Sequence, residues 1–405
     1  MQNAGGNAFT YDANGFIASR TDWDGNVTTI THNTRGDETS RTLAAGTPIA
    51  RTIGTTWLST FHLPTKITDG NRVFSFAYDA NGNLLTRTLT SPSITSIWSY
   101  TYNSAGQMLT ATDPRGNVTQ YAYDAKGDLT SVTDALSHVT SITSYDADGR
   151  PLTIQDPNGL VTTLAYNFRG EITAKTEAQW ATAYAYDNVG QLIKLTRPDA
   201  STLAYTYDMA HRLTGITDSL GDQIVYTLDA ASNRTMEQVF DPSSNLTRTR
   251  SYTYNVVNRL KRTIGAQGQT TIYSYDAQGN LTKIVDPLGN TATYAYDALN
   301  RLAQAIDPNG GMTAFAYDHK SRLASVTDPR GLMTTYTHDG LDDLTSIGSP
   351  DTGVTANIFD AAGNAVASTD ARGDKTIYSH DALNRVTKAA YADGKVITYQ
   401  YDQGA

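Results

Sequence analysis

The sequence predicts an all-β chain of tandem hairpins joined into one continuous antiparallel sheet. Three observations carry this reading: a period of 21 residues, two turn signatures inside each period, and runs of Thr, Val and Tyr between the turns. With 39% hydrophobic and 18% charged residues among 405, the composition belongs to an ordered chain, expected to bury a substantial apolar interior. The aromatic residues are biased, 25 Tyr against 9 Phe and 4 Trp, and that bias marks the repeat.

The period is set by the pair Tyr-Asp and its relatives. Their first residues are Tyr11, His32, Tyr78, Tyr102, Tyr123, Tyr145, Tyr166, Tyr186, Tyr207, Leu228, Tyr254, Tyr275, Tyr296, Tyr317, His338, Phe359, His380 and Tyr401. Twelve of the seventeen intervals are 21 residues, and the run from Tyr254 to Tyr401 never slips, so the unit is structural and not compositional. Four residues after the register position stands a Gly or Asn, as at Gly82, Gly106, Gly127, Gly149, Gly190, Gly279, Asn300 and Asn384. These types accept the positive φ of a tight turn. An Asp follows eleven residues after the register and opens a second turn, clearest in Asp113-Pro114-Arg115-Gly116, Asp286-Pro287-Leu288-Gly289 and Asp328-Pro329-Arg330-Gly331. Pro presets φ there and Asp bonds its own backbone.

Between the turns lie segments such as Asn117–Tyr123 and Leu129–Thr133, rich in residues that suit a pleated, half-buried surface. Turns every ten or eleven positions leave too little uninterrupted chain for helices. Two strands for each of eighteen registers give about 36 strands, more than an open twisted sheet holds without curling. Either a parallel β-helix or a meander of hairpins wound into a spiral would close it, and two full reversals per period favour the meander. Pairs such as Tyr121/Tyr123, Tyr273/Tyr275 and Tyr294/Tyr296 place two rings on one face, from which an aromatic ladder between hairpins is expected. Leu129, Leu281 and Leu323 fall three residues before Val132, Ile284 and Val326, which a regular strand would put on opposite faces.

Tyr121-Ala122-Tyr123-Asp124-Ala125-Lys126-Gly127-Asp128-Leu129, followed by an Asp turn, resembles the YD repeat of bacterial RHS proteins. That repeat is shared with the C component of insecticidal Tc toxin complexes and with the teneurins. The segment Thr56–Thr68 resembles a stretch found ahead of the main array in such proteins. The expected organisation is one repeat domain: YD repeats over 1–42, an irregular insertion over 43–77 containing Trp57 and Pro64, and the array over 78–405. It is read as truncated at both ends. The resemblance implies a spiral shell that houses a C-terminal toxin or effector polypeptide during bacterial competition, secreted or at the cell surface, with the export signal outside this chain. The alternative is a cell-surface adhesion or carbohydrate-binding module.

The chemistry of the remaining residues narrows the function. Against 40 Asp and Glu stand 31 Lys and Arg, a net charge of −9 that repels nucleic acid, and no apolar run is long enough to span a membrane. Without Cys there is no thiolate chemistry. Asp12-Ala13-Asn14-Gly15, Asp22-Trp23-Asp24-Gly25, Asp79-Ala80-Asn81-Gly82 and Asp146-Ala147-Asp148-Gly149 have the look of calcium loops. Their twelfth positions hold Trp23, Asn33, Thr90 and Pro157 in place of the required Glu, so tight-turn chemistry is the better reading. The seven His (His32, His62, His138, His211, His319, His338, His380) show no ligand spacing, and three of them occupy register positions. Carboxylates distributed by the repeat suit turns better than paired catalysis, and no nucleophile motif is present, so an enzyme is not expected. Trp23, Trp57, Trp98 and Trp180 could stack on sugar rings, although aromatics at strand spacing more often pack. No catalytic residue, cofactor or metal site emerges.

Overall fold

The computed structural model describes residues 7–402, which form 37 β-strands from Ala8–Tyr11 to Val396–Thr398 and no helix. Every strand pairs antiparallel with the next in sequence, so the sheet is a single uninterrupted meander. Strands touch only their sequence neighbours. The stretch 43–77, expected to be irregular, keeps the sheet going through Arg51–Trp57, Pro64–Asp69 and Arg72–Tyr78. It broke the Tyr-Asp pattern because Trp57 takes the register place: it stands opposite Pro64 as Tyr78 stands opposite Leu84. The extra length is taken up by the loops on either side of the strand Arg51–Trp57.

The typical register turn is a four-residue reversal closed by two backbone bonds, as in Asp124 N to Asp128 O and Gly127 N to Asp124 O. The fourth residue adopts positive φ, 95° at Gly127, and one extra residue is bulged in the strand that follows. This bulge resolves the face of the leucines. Leu129 stands opposite Tyr123 and Val132 opposite Tyr121, so both join the aromatic face despite their spacing of three. The pattern repeats in Tyr273 with Ile284, Phe315 with Val326 and Tyr336 with Ile347. The opposite face carries small and polar pairs, Ala122 with Ser131, Ala316 with Ser325 and Ser274 with Lys283.

The substantial apolar interior expected from composition is not formed. A compact chain of 43.8 kDa would expose about 15,000 Å², whereas this one exposes 23417 Å². Among the described residues no large side chain is fully buried, and the buried apolar residues are Ala44, Leu89, Ala367 and Ala389. The apolar residues are spent on one face of a single layer.

The ribbon closes on itself through its turns. Arg115, between the strands Met108–Thr112 and Val118–Tyr123, bonds the turn between Lys375–His380 and Val386–Ala390. Arg72, which opens the strand Arg72–Tyr78 just after the turn from Pro64–Asp69, meets Asp342 between Met333–His338 and Leu344–Ser349. In both cases twenty-five strands separate the partners. At ~4.8 Å per strand one turn of the spiral is ~120 Å around and ~40 Å across, so the wall completes about one and a half turns around a hollow.

Candidate functional site

The wall has two edges. Along one, the tyrosine edge, lie the turns that follow the register residues; along the other, the proline edge, lie the Asp-Pro-x-Gly turns and their relatives. The ladders across the proline-edge hairpins are short: Ser131 to Ser141, Val132 to Thr140 and Thr133 to Val139 pair, and nothing nearer the tyrosine edge does. The strands splay there, and the first residue of each second strand has no ladder partner across that hairpin, so its carbonyl is open to a donor reaching over the gap. Eleven register tyrosines supply one. Tyr102, Tyr207, Tyr275, Tyr296 and Tyr317 donate their phenol O–H to the carbonyls of Leu84, Leu192, Leu260, Leu281 and Leu302 at 2.8–3.0 Å. Tyr78, Tyr145, Tyr166, Tyr186, Tyr254 and Tyr401 do the same to Pro64, Leu129, Pro151, Ile172, Arg234 and Val386. Burial raises the phenol pKa at Tyr78, Tyr207, Tyr275 and Tyr296, which keeps the donor proton in place.

The expected aromatic ladder is therefore replaced by a row of hydroxyl latches. Register rings lie two strands apart, ~10 Å, beyond the 4.5–7 Å of ring pairing, and among the described residues the ring pair that does form is Phe16 with His32 at 5.2 Å. At two registers without a bonding phenol another donor takes its role. Trp57 Nε1–H donates to Glu38 O at 2.8 Å. Beside Phe359, Asn357 Nδ2–H donates to Leu344 O at 3.1 Å.

Arginines stitch neighbouring register turns. Arg150, Arg212, Arg301, Arg322 and Arg385 each bond, through Nε, the Asp that opens their own turn at 2.6–2.8 Å. Arg212 and Arg322 reach the next turn as well, at Asp229 O and Asp339 O, both 2.6 Å. Arg301 and Arg385 stack 4.5 Å from the rings of Tyr317 and Tyr401. These residues stand five positions after the register residue, a recurrence readable in the sequence but masked because Asn, Gln or Asp fills the same place elsewhere.

The seam joins proline-edge turns of the first coil to tyrosine-edge turns of the second, 265 to 271 residues later. Arg115 Nη1 donates to Asp381 O at 2.7 Å and Asn384 Oδ1 at 2.8 Å. Arg72 and Arg322 hold the two carboxylate oxygens of Asp342 at 2.5 and 2.9 Å. Arg51 grips Asp69 with two bonds, 2.9 and 2.6 Å, and donates to Lys320 O at 3.2 Å. Burial alone would raise the Asp69 carboxyl, but the hydrogen bonds and charges of Arg51 and Arg72 hold it below the ordinary range. Lys320, only 8% exposed, is pushed down by burial and by Arg322 and Arg72. Approach is close: a methyl group on Gly340 would collide with Ser91, and one on Gly70 with His319. Asp343 stands where other repeats place Arg. Its Oδ2 is buried without a partner, and burial together with Asp339, Asp342 and Asp360 pushes its pKa up to about 6.

The teneurin YD-shell family model matches residues 65–260, and the RHS repeat model matches 254–291, 275–312, 317–354 and 359–396. The chain belongs to the RHS/YD-repeat family. Among solved structures, the YD-repeat wall resembles the crystal structure of TcdB2-TccC3-Cdc42, with a TM-score of 0.59 at 15% identity over 96% of this chain and 27% of that one. TcdB2-TccC3 gives 0.55 at 16% identity, over 98% and 24%. The Tc holotoxin pore of Photorhabdus luminescens gives 0.54 at 15% identity, over 96% and 27%. At these identities the likeness is one of fold, and the chain spans about a quarter of the length of the chains it resembles. No curated protein matches the sequence.

Within this YD-repeat wall the residues singled out by sequence serve turns and strands. Asp12, Asp22, Asp79 and Asp146 each turn Oδ1 onto two backbone N–H groups of their own turn at 2.8–3.0 Å. Their neighbours Asn14, Asp24, Asn81 and Asp148 occupy the exposed third position. His62 bonds Asp37, which Asn33 and Arg35 also hold, and so ties the long loop after Trp57 to the preceding turn. His138 bonds Asp134 at 2.9 Å and His211 bonds Gln191 at 3.0 Å. His319 packs on Gly70 at the seam. His32, His338 and His380 replace register tyrosines. Trp23 and Trp180 are exposed at separate places, Trp98 is half-buried in its strand, and the register tyrosines that would have to offer a flat sugar platform are held by their hydroxyls.

Proposed function

We propose that the chain is a section of container wall, which in a longer parent encloses a C-terminal toxin or effector polypeptide and helps deliver it to a competitor outside the producing cell. The wall is non-catalytic in this reading: it contributes volume and shielding. The observation that carries it is the seam, which turns a one-layer sheet without a core into a wall around a hollow of roughly 30 Å, allowing ~5 Å for inward side chains on each side of a ~40 Å backbone ring, wide enough for an unfolded or partly folded chain. Membership of the RHS/YD-repeat family supports the same reading, as does the likeness to Tc assemblies.

A wall of this kind protects what it surrounds. A protease-labile reporter polypeptide appended after residue 405 is expected to survive digestion that destroys the free reporter. Digestion of tethered and free reporter at equal rates would remove the container reading.

A further inference from the structure

The seam joins the two coils by two kinds of contact. Arg51, Arg72 and Arg115 carry permanent charge onto carbonyls and acids of the facing turns. At three other places the group concerned changes its charge with a proton. The first is the turn Asp22-Trp23-Asp24-Gly25, where Asp24 holds the third position that Arg115 holds in its own turn. Asp24 and Asn26 line a cavity of about 310 Å³ opposite Asp276, Asn280, Asp297 and Asn300 of the second coil. The guanidinium on that side, Arg301, is bonded to Asp297, and the phenol of Tyr296 to Leu281 O. Burial, then Asp276 across the seam and Asp22 beside it, raise the Asp24 carboxyl above its ordinary range. Because Asp276 belongs to the other coil, its share of that cost exists only while the coils are together, and protonation of Asp24 removes it.

The second place is Asp343. Five positions after the register residue, side chains stitch one turn to the next: Arg322 donates to Asp339 O at 2.6 Å and Asn364 Nδ2 to Asn384 Oδ1 at 2.8 Å. Asp343 stands between these two in the row, and its unpartnered Oδ2 lies over the next turn, where a methyl group on Gly363 would sit 3.5 Å away. An ionised carboxylate has no proton to donate, so the stitch is missing; a neutral one supplies an O–H. Burial, with Asp339 and Asp342 of its own turn and Asp360 of the next, pushes its pKa up to about 6. The cations beside these acids are engaged with them, Arg72 and Arg322 with Asp342 and Arg115 with Asp360, and burial and Arg322 hold the His338 imidazole below its ordinary range. These two turns are also where the first coil rests, through Ser91 at Gly340, Arg72 at Asp342 and Arg115 at Asp360.

The third place is His138. Its Nδ1 lies 2.9 Å from Asp134 and its Nε2 3.9 Å from Asp402 of the second coil, which Arg385 holds at 2.7 Å. Charged, the ring has an N–H for a carboxylate on each coil; neutral, it has one N–H and serves one. All three places have the same sign. We infer that the seam is a proton-operated clasp, which closes as Asp24, Asp343 and His138 take up protons between about pH 8 and about pH 5.5 and loosens as they lose them. The arginine contacts keep the two coils in register throughout. The clasp acts whatever the wall encloses, and it makes acidity the control on how readily the wall opens.

Hydrogen exchange of the 405-residue protein, corrected for the intrinsic rate at each pH, reads the opening of each turn. From about pH 8 to about pH 5.5, protection in the turns 22–26, 134–138, 339–343 and 360–364 should rise about fivefold or more, while the turn 187–191, outside the seam, stays constant. Asp24→Asn with Asp343→Asn installs side chains that equivalent positions already hold at Asn14 and Asn364, so the turns form as before. This double variant should keep the high protection of 22–26, 339–343 and 360–364 at both pH values. His138→Asn retains the bond within the turn that Asn117 makes to Asp113, and should lose the gain at 134–138 alone. Seam protection that is equal at both pH values, that falls on acidification, or that rises no more than at 187–191 would overturn the inference. So would a double variant that responds to pH as the parent does, or a gain at 134–138 that survives His138→Asn.

Discussion

At the residue scale the wall depends on a phenol oxygen more than on a phenol ring. The register tyrosine reaches a carbonyl that the splayed neighbouring strand cannot, and an unsatisfied carbonyl at a half-buried place costs about 1 kcal/mol. Tyr296→Phe should therefore lower stability by about 1 kcal/mol, read from denaturant midpoints, by orphaning Leu281 O. Asn357→Ala should do the same beside Phe359, where the amide and not the ring is the donor. Unchanged midpoints in both variants would show that the latches are ornamental. Asp343 supplies the opposite case. Its carboxyl titrates near 6 in the folded chain against 3.8 ordinarily, so the native state carries the cost of an ionised, unpartnered oxygen above pH 6 and loses that cost as pH falls. Asp343→Asn should stabilise by about 1 kcal/mol at neutral pH once solvent screening is allowed for, with the advantage vanishing below about pH 4. The tyrosines were legible as a period, but their acceptors were not, because the splay that orphans Leu281 O arises from pairing between strands.

At the scale of the hairpin, one bulge per register turn decides the sheet. It shifts Leu129 and Val132 to a common face, and without it the aromatic side would lose every leucine. Alternation read from sequence separates those two residues, since period-2 reasoning assumes a strand with no inserted residue. The turns themselves were legible in full, because Asp, Pro and Gly act locally. Gly289 lies at φ 86° with open space around it, so Gly289→Ala tests backbone cost alone and should destabilise by about 1 kcal/mol or more. Ala200, at φ 66°, should gain from replacement by Gly. The same turns make the hairpins acid-labile. Backbone hydrogen bonds hold the carboxyls of Asp124, Asp146 and Asp187 below the ordinary range, and side-chain bonds do so first at Asp79 and Asp229. Their contribution is present above about pH 4 and is lost as pH falls through the folded values. Asn performs the same bonding at Asn103 and Asn167 without titrating. Asp124→Asn should thus match the parent at neutral pH and outlast it in acid, as followed by tyrosine fluorescence.

At the scale of the whole molecule, a repeat array with only neighbour contacts unfolds from its ends, where the strands Ala8–Tyr11 and Val396–Thr398 are exposed throughout. The seam changes this by tying residues more than 260 apart, so that the first coil protects the second. Nothing in the local sequence announced the seam. Its partners are ordinary turn residues, and their meeting is set by curvature accumulated over twenty-five strands, each adding a small rotation. Gly340 is the most direct place to intervene, because any side chain there meets Ser91 of the other coil while its own hairpin remains free to form. Gly340→Val combined with Arg115→Ala should leave the β-sheet spectrum intact, since every strand ladder is local. The coil should nevertheless open, seen as a larger radius of gyration in solution scattering and as new protease cuts near residues 113–116 and 339–343. Should scattering and cleavage match the parent, the sheet's curvature alone would be sufficient to keep the wall closed.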